Sequence, residues 1–153
     1  MSDYLRPPGA VPETVFTLSC IRCARCVEVC PYKTIRLGTA RDGFNAGTPM
    51  IEARTIPCYL CMRCPAACPS GALEVVTMRE VRMGRARINE SSCLPFTGVL
   101  CRTCYNACPI FDEAITMNEL LQPVVDERTC TGCGICEHVC PAEPPAIVVE
   151  RTP

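Results

Sequence analysis

Cys130-Thr131-Gly132-Cys133-Gly134-Ile135-Cys136-Glu137-His138-Val139-Cys140-Pro141 is the stretch on which the reading of this chain turns. Its spacing, C-x2-C-x2-C-x3-C-P, is the run by which bacterial chains hold iron–sulfur cubes. Three thiolates two residues apart fit one tight loop around a face of a 4Fe–4S cube. The fourth, on the short helical turn that follows, faces away toward a neighbouring cube. Pro141 fixes φ where the chain must leave that turn.

The run recurs toward the N-terminus. Cys20, Cys23, Cys26 and Cys30, then Cys58, Cys61, Cys64 and Cys68, repeat it unchanged, followed by Pro31 and Pro69. Cys93, Cys101, Cys104 and Cys108 repeat it with five extra residues in the first gap, followed by Pro109. The first cysteines are 38, 35 and 37 residues apart, so the period counts cofactor loops. Four runs of four use all 16 cysteines, which matches four 4Fe–4S clusters with no thiol left over. A disulfide framework explains neither the fourfold spacing nor the proline after each last cysteine. Zinc ribbons use paired knuckles separated by a longer loop rather than three cysteines in one loop.

Composition agrees. With 16 Cys, 15 Pro, 9 Gly and 5% aromatic residues in 153, a conventional core must be thin and the clusters must act as the structural centre. The empty chain is expected to be largely unfolded, because metal-binding energy is folding energy here. The formal charge is −1. Each oxidised cube with its thiolates adds about −2, so the loaded protein is acidic and nucleic-acid binding has no support. The longest charge-free stretch, Ser91 to Cys101, is 11 residues, short of the roughly 18 a spanning helix needs.

Residues 1–19, with Pro7, Pro8 and Pro12, read as an extended N-terminal arm without helical period. They contain no twin-arginine pair and no apolar export segment. Short β-prone segments follow each run at 34–37, 72–76, 114–117 and 146–149, and precede runs two to four at 49–53, 86–88 and 123–125. The expected fold is α+β: two packed bacterial-type bis-4Fe–4S ferredoxin-like modules with short strands and helices around the clusters, spanning 20–153.

Leu5 to Ala10, Ser19 to Cys23 and Cys30-Pro31-Tyr32 carry a further likeness. So do Ala46 to Pro49, Ala53 to Cys58, Cys68 to Leu73, the odd gap from Cys93 to Cys101, and Asp112 to Thr116. From about residue 5 to 150 the chain resembles the NapG/MauM group of ferredoxin-type proteins. That resemblance implies an electron-transfer accessory. The NapG-like member works with a polytopic quinol-oxidising partner and passes electrons toward a periplasmic nitrate reductase; the MauM-like member accompanies methylamine dehydrogenase. Members of the group usually begin with a twin-arginine signal and have a wider gap between the second and third cysteines of run two. Neither feature is present here. The expectation is a periplasmic-side location for a mature chain of this kind, and a cytoplasmic one if Met1 is the native start.

The cysteine plan is also similar to that of the iron–sulfur subunits of molybdenum oxidoreductases. By that resemblance the first run pairs with the fourth and the second with the third, nesting 20–45 with 115–153 around 46–114. One cube then takes Cys20, Cys23, Cys26 and Cys140, and its mate Cys130, Cys133, Cys136 and Cys30. The inner pair takes Cys58, Cys61 and Cys64 with Cys108, and Cys93, Cys101 and Cys104 with Cys68. Pairing one with two and three with four is the alternative.

Arg22, Arg25, Arg63 and Arg102 lie inside the first three loops, where a cation would favour the extra electron, while the fourth has Gly132 and Gly134. Residues 79–87 hold four further arginines and read as a solvated hairpin. His138 reads as a helix-surface residue, since the cysteine count is complete without it. No phosphate loop, nucleotide fingerprint or nucleophile–base motif is present. The expected function is therefore non-catalytic. It is a relay subunit carrying single electrons between a donor and an acceptor oxidoreductase in a larger membrane-associated complex. A diffusing polyferredoxin and a maturation accessory are the alternatives.

Overall fold

The computed structural model describes residues 4–151. Met1, Ser2 and Asp3 of the expected arm, and Thr152 and Pro153, lie outside the described residues.

Four of the five α-helices belong to the cysteine runs: α2 (Arg25–Glu28), α3 (Arg63–Ala67), α4 (Thr103–Ala107) and α5 (Ile135–His138). Each starts one residue before the third cysteine, and the proline after the fourth lies just beyond its end. The strands are as short: β1 (Ile35–Leu37), β2 (Pro49–Ile51), β3 (Gly84–Ile88), β4 (Ile115–Met117), β5 (Pro123–Val125) and β6 (Ile147–Arg151). β1 pairs antiparallel with β2, placing Ile35 opposite Ile51. β4 pairs likewise with β5, placing Ile115 opposite Val125, and β3 with β6, placing Ile88 opposite Ile147. The strand pairs therefore join neighbours in one half of the chain. α2 packs on α3, and α4 on α5.

This arrangement overturns the nested expectation. The first two runs form one module and the last two another. The reason lies in what closes each module. In the second, β6 after run four returns to β3 before run three. In the first, the segment after run two returns to the N-terminal arm: Glu74 N–H donates to Gly9 O at 2.7 Å and Val11 N–H to Ala72 O at 3.2 Å. Pro7, Pro8 and Pro12 have no N–H to extend the ladder. The expected strand at 72–76 is consequently a single bridge between Ala10 and Leu73.

The arm is not extended throughout. After Pro12 it forms α1 (Glu13–Ser19), with Val15 and Phe16 N–H both donating to Pro12 O. Seven residues with one buried side chain, Phe16, give no readable helical period. The anchor of the arm is Arg6, 4% exposed. Its five N–H donors are all engaged: Nε and Nη2 on the Glu13 carboxylate (2.9 and 2.5 Å), Nη2 also on Asn45 Oδ1, and Nη1 on Thr48 Oγ1 and Pro49 O. The guanidinium also lies 4.9 Å from the Tyr4 ring centre and 4.5 Å from that of Phe16.

The expected hairpin at 79–87 is also corrected. Gly84 to Ile88 is strand β3, and three of the four arginines pair with acids, Arg79 with Glu113, Arg85 with Glu127 and Arg87 with Glu150, while Arg82 donates to Arg79 O and Val81 O. The two modules meet where Cys58 N–H donates to Cys133 O at 2.9 Å. Arg54 crosses the same junction and donates to Glu137 O (2.9 Å) and Cys140 O (3.4 Å) at the end of α5. His138, exposed as expected, hydrogen-bonds through Nδ1 with Arg54 O at 2.9 Å. Gly134, with φ +82°, packs so closely that a Cβ there would lie 2.2 Å from that of Ala53.

Candidate metal centres

The buried core is built around sulfur. Cys26, Cys30, Cys58, Cys64, Cys93, Cys130, Cys133 and Cys136 are all buried, beside Phe16, Met50, Ile51 and Ile115. No cysteine is in a disulfide. All sixteen fall, four by four, around separate cavities. Site I is lined by Cys20, Cys23, Cys26 and Cys68. Site II takes Cys30, Cys58, Cys61 and Cys64. Site III takes Cys93, Cys101, Cys104 and Cys140, and site IV Cys108, Cys130, Cys133 and Cys136. Each site thus takes three thiols from one loop and the fourth from the other run of its module. A wider cleft between the arm and β3 is lined by Arg6, Glu13, Arg85 and Arg151 among others and contains no cysteine.

Three observations bear on what fits these cavities. The first is arrangement: at each of sites I to IV four thiols surround one small, largely apolar cavity. Among the described residues no three Cys, His, Asp or Glu side chains converge to hold a single ion. Four sulfurs around a void suit a polynuclear group better than tetrahedral zinc, whose ligands lie within ~2.3 Å of one point.

The second is the loop backbone. In runs one, two and four the second and fourth residues after the first cysteine have positive φ: Arg22 and Ala24, Leu60 and Met62, Gly132 and Gly134. Alternating left-handed residues curl a loop into a concave nest of N–H groups that attracts an anion. Four of these six are not glycine, and such residues cost about 1–3 kcal/mol each unless the surroundings hold them there. Run three departs from this. Its five extra residues include most of a 3-10 turn at Leu94–Thr97, closed by Gly98 at φ +89°.

The third is proton chemistry. Burial pushes the thiols of Cys26 and Cys104 up to about 11 and that of Cys58 up to about 12. Burial and neighbouring thiols drive Cys64 higher still and lift Cys136 well above the ordinary thiol value. Such groups are neutral until a metal displaces the proton. Cys30 and Cys68 behave differently. Burial raises each, but N–H donors of Thr34, Tyr32 and Ile35 around Cys30, and the Ser70 hydroxyl and N–H groups of Leu73, Ser70 and Ala72 around Cys68, outweigh it and bring both below the ordinary thiol range. These two are the cysteines handed from one loop of the first module to the other.

The sites have an order. α2, which carries Cys26 of site I, packs on α3, which carries Cys64 of site II. Cys58 of site II is bonded through its N–H to Cys133 O of site IV, and α5, which carries Cys136 of site IV, packs on α4, which carries Cys104 of site III. The sequence I, II, IV, III therefore runs through the molecule, with the module junction between II and IV. Of the four loop arginines, only Arg22 and Arg25 border a cavity, that of site I; Arg63 and Arg102 do not line theirs.

Several lining residues escaped sequence reading. Phe16 closes site I, and Pro8 covers site II from the arm. Tyr32 and Tyr59 flank site II with ring centres 4.6 Å apart. The signal available for the two tyrosines was their position, two residues after Cys30 and one after Cys58; Phe16 and Pro8 carried none.

Comparison with known proteins agrees with this grouping. The profile of the 4Fe-4S dicluster domain matches residues 19–72, which hold runs one and two, and 97–143, which hold the last three cysteines of run three together with run four. The chain is 46% identical to the ferredoxin-type protein NapG of Escherichia coli over 95% of its own length and 69% of the relative's. It is 42% identical to the methylamine utilization ferredoxin-type protein MauM of Methylorubrum extorquens, over 89% and 67%. Against MauM of Paracoccus denitrificans the figures are 39%, 89% and 66%.

Proposed function

Because the chain belongs to the NapG/MauM group of ferredoxin-type proteins, we propose that it is a four-site relay for single electrons, with ends at sites I and III. That iron–sulfur electron transfer is its business follows from the dicluster domains and the family. The finer reading rests chiefly on one observation: sixteen cysteines stand in four sets of four, in an unbroken spatial order.

In this reading Cys20, Cys23, Cys26 and Cys68 hold one 4Fe–4S cluster, and Cys30, Cys58, Cys61 and Cys64 the second. Cys93, Cys101, Cys104 and Cys140 hold the third, and Cys108, Cys130, Cys133 and Cys136 the fourth. When bound, such a group supplies reversible one-electron redox chemistry at a potential set by charge, hydrogen bonds and exposure. The chain supplies the rest. The nests of runs one, two and four aim N–H groups at the sulfurs, and Ala146 N–H donates to Cys140 Sγ at 3.3 Å. The Cys58–Cys133 hydrogen bond brings the two modules together at their inner sites. Cys23 is exposed and Cys101 half-buried, so sites I and III reach the surface, as inner site II does through exposed Cys61; site IV, with the first three cysteines of run four buried, is the enclosed one.

The proposed partners are other redox proteins, one at each end, in a membrane-associated complex whose donor is quinol-linked. No helix among the described residues is long and apolar enough to cross a membrane, so another subunit provides any anchor in this reading. Anaerobic iron and sulfide analysis with a redox-poised EPR titration tests the proposal. About sixteen irons per chain, four cubes of four, and signals broadened by coupling between centres are expected. Far fewer irons with zinc present, or no reducible centre in intact protein, would overturn it.

A further inference from the structure

We propose that the face around site I, formed by Leu18, Ile21, Arg22 and Arg25, docks an acidic one-electron redox protein. The inference rests on the relay reading and names the partner chemistry at one of its ends.

Leu18 is 88% exposed and Ile21 63%, on either side of Cys20. Leu18 faces outward although its helix has an inward face, where Phe16 is completely buried. Exposed Arg22 and Arg25 border the cavity itself. Arg22 Nε donates to Ala46 O at 3.0 Å, and among the described residues neither arginine forms an ion pair with a carboxylate. The contrast with Arg79, Arg85 and Arg87 is direct, since those arginines are neutralised by Glu113, Glu127 and Glu150. An apolar centre with a rim of uncompensated charge is the make-up of an interface steered by electrostatics. Its sign is opposite to that of the loaded protein as a whole, since the formal charge is already −1 and each bound cluster adds about −2 more. Two acidic carriers repel each other unless one presents such a local exception. The exposed Cys23 lies within this face, so a partner seated there touches the edge of site I. The opposite end is built differently. Val99 and Leu100 are exposed beside Cys101, but its single arginine, Arg102, does not border the cavity.

The test uses anaerobic holoprotein and a flavodoxin, an acidic one-electron carrier, as probe. Calorimetric titration gives the Kd with oxidised flavodoxin, and stopped flow gives the rate of reduction by its hydroquinone. For the variant R22E/R25E, Kd is expected to rise about tenfold or more and the rate to fall in step, with a weaker dependence on salt. L18S/I21S should raise Kd about threefold to tenfold with the salt dependence unchanged. R102E should leave both quantities as they are. Wild-type protein that does not bind, an unchanged Kd in R22E/R25E, or a loss that follows R102E instead would overturn the proposal. So would loss of binding to phosphatidylserine vesicles in the site I variants with flavodoxin binding intact, which would make the face a membrane contact. Iron content and the dithionite-reduced EPR spectrum are recorded for every variant. Absence of reducible clusters would refute the relay reading; intact clusters with unaltered binding would refute the docking face alone.

Discussion

Substitution of Arg6 by methionine removes the five hydrogen bonds of its guanidinium while keeping the aliphatic volume of its stem. Breaking one partner out of a fully buried ion pair costs about 3–5 kcal/mol. Glu13 keeps 28% of its side chain in water and retains Arg151 at 3.5 Å, so part of its charge is rehydrated. The Thr48 hydroxyl still donates to Asn45 O, at 2.6 Å. Pro49 O, in a buried residue, loses the Arg6 donor. The net loss is then about 2–4 kcal/mol, which raises the population of chains with a detached arm about 30- to 700-fold. Detachment uncovers site I through Phe16 and site II through Pro8, and leaves sites III and IV untouched. The assay is iron release to a chelator in air, followed at the visible absorbance of the clusters. R6M is expected to lose half its iron in a fast phase and the rest at the wild-type rate. Uniform acceleration of all the iron, or none, would refute the assignment of the arm to the first module.

The Glu13 carboxyl is raised by burial but held on balance below its ordinary 4.5 by Arg6, Arg151 and Tyr4. A depressed folded pKa contributes stability above about pH 4.5 that is lost as pH falls through the folded value. The fast phase of iron release should therefore grow below about pH 4.5 in wild type and already be present at pH 7 in E13Q. G134V puts a side chain on a +82° φ and against Ala53. It should separate the modules and strain the loop of site IV, so magnetic coupling across the junction is abolished and the second module loses iron while the first keeps its own. R25Q should lower the midpoint potential of one centre, that of site I, and R63Q none, because only the former borders its cavity; redox-poised EPR reads both.

That each run would bring three of its cysteines together was legible because their spacing sets the loop they sit on, whatever the surrounding fold. Which runs share a module was not, since all four runs end in the same x3-Cys-Pro and can hand their last cysteine to any neighbour. That choice is made by strand pairing far from the cysteines, β3 with β6 and Gly9–Val11 with Ala72–Glu74. The arm contributes its half of that pairing with prolines, so it carries no alternating pattern to reveal it. The strands at 35–37, 49–51, 115–117 and 123–125 were readable from β-branched and apolar composition alone. The basic stretch at 79–87 misled for a physical reason: charges on alternate residues of a two-stranded edge resemble a solvated hairpin until Glu127 and Glu150 are seen beside them. α1 was hidden by its length and its single buried residue.

The central claim is that cysteines from consecutive runs share a cluster, and paired removal of Cys20 and Cys68 tests it most directly. In C20A, C68A and C20A/C68A the measurement is iron per chain after anaerobic purification, with EPR of the reduced protein. If both residues serve site I, the double variant matches either single one and keeps about twelve irons, three cubes of four. If they serve different clusters, the losses add and about eight remain, which would contradict the arrangement described here.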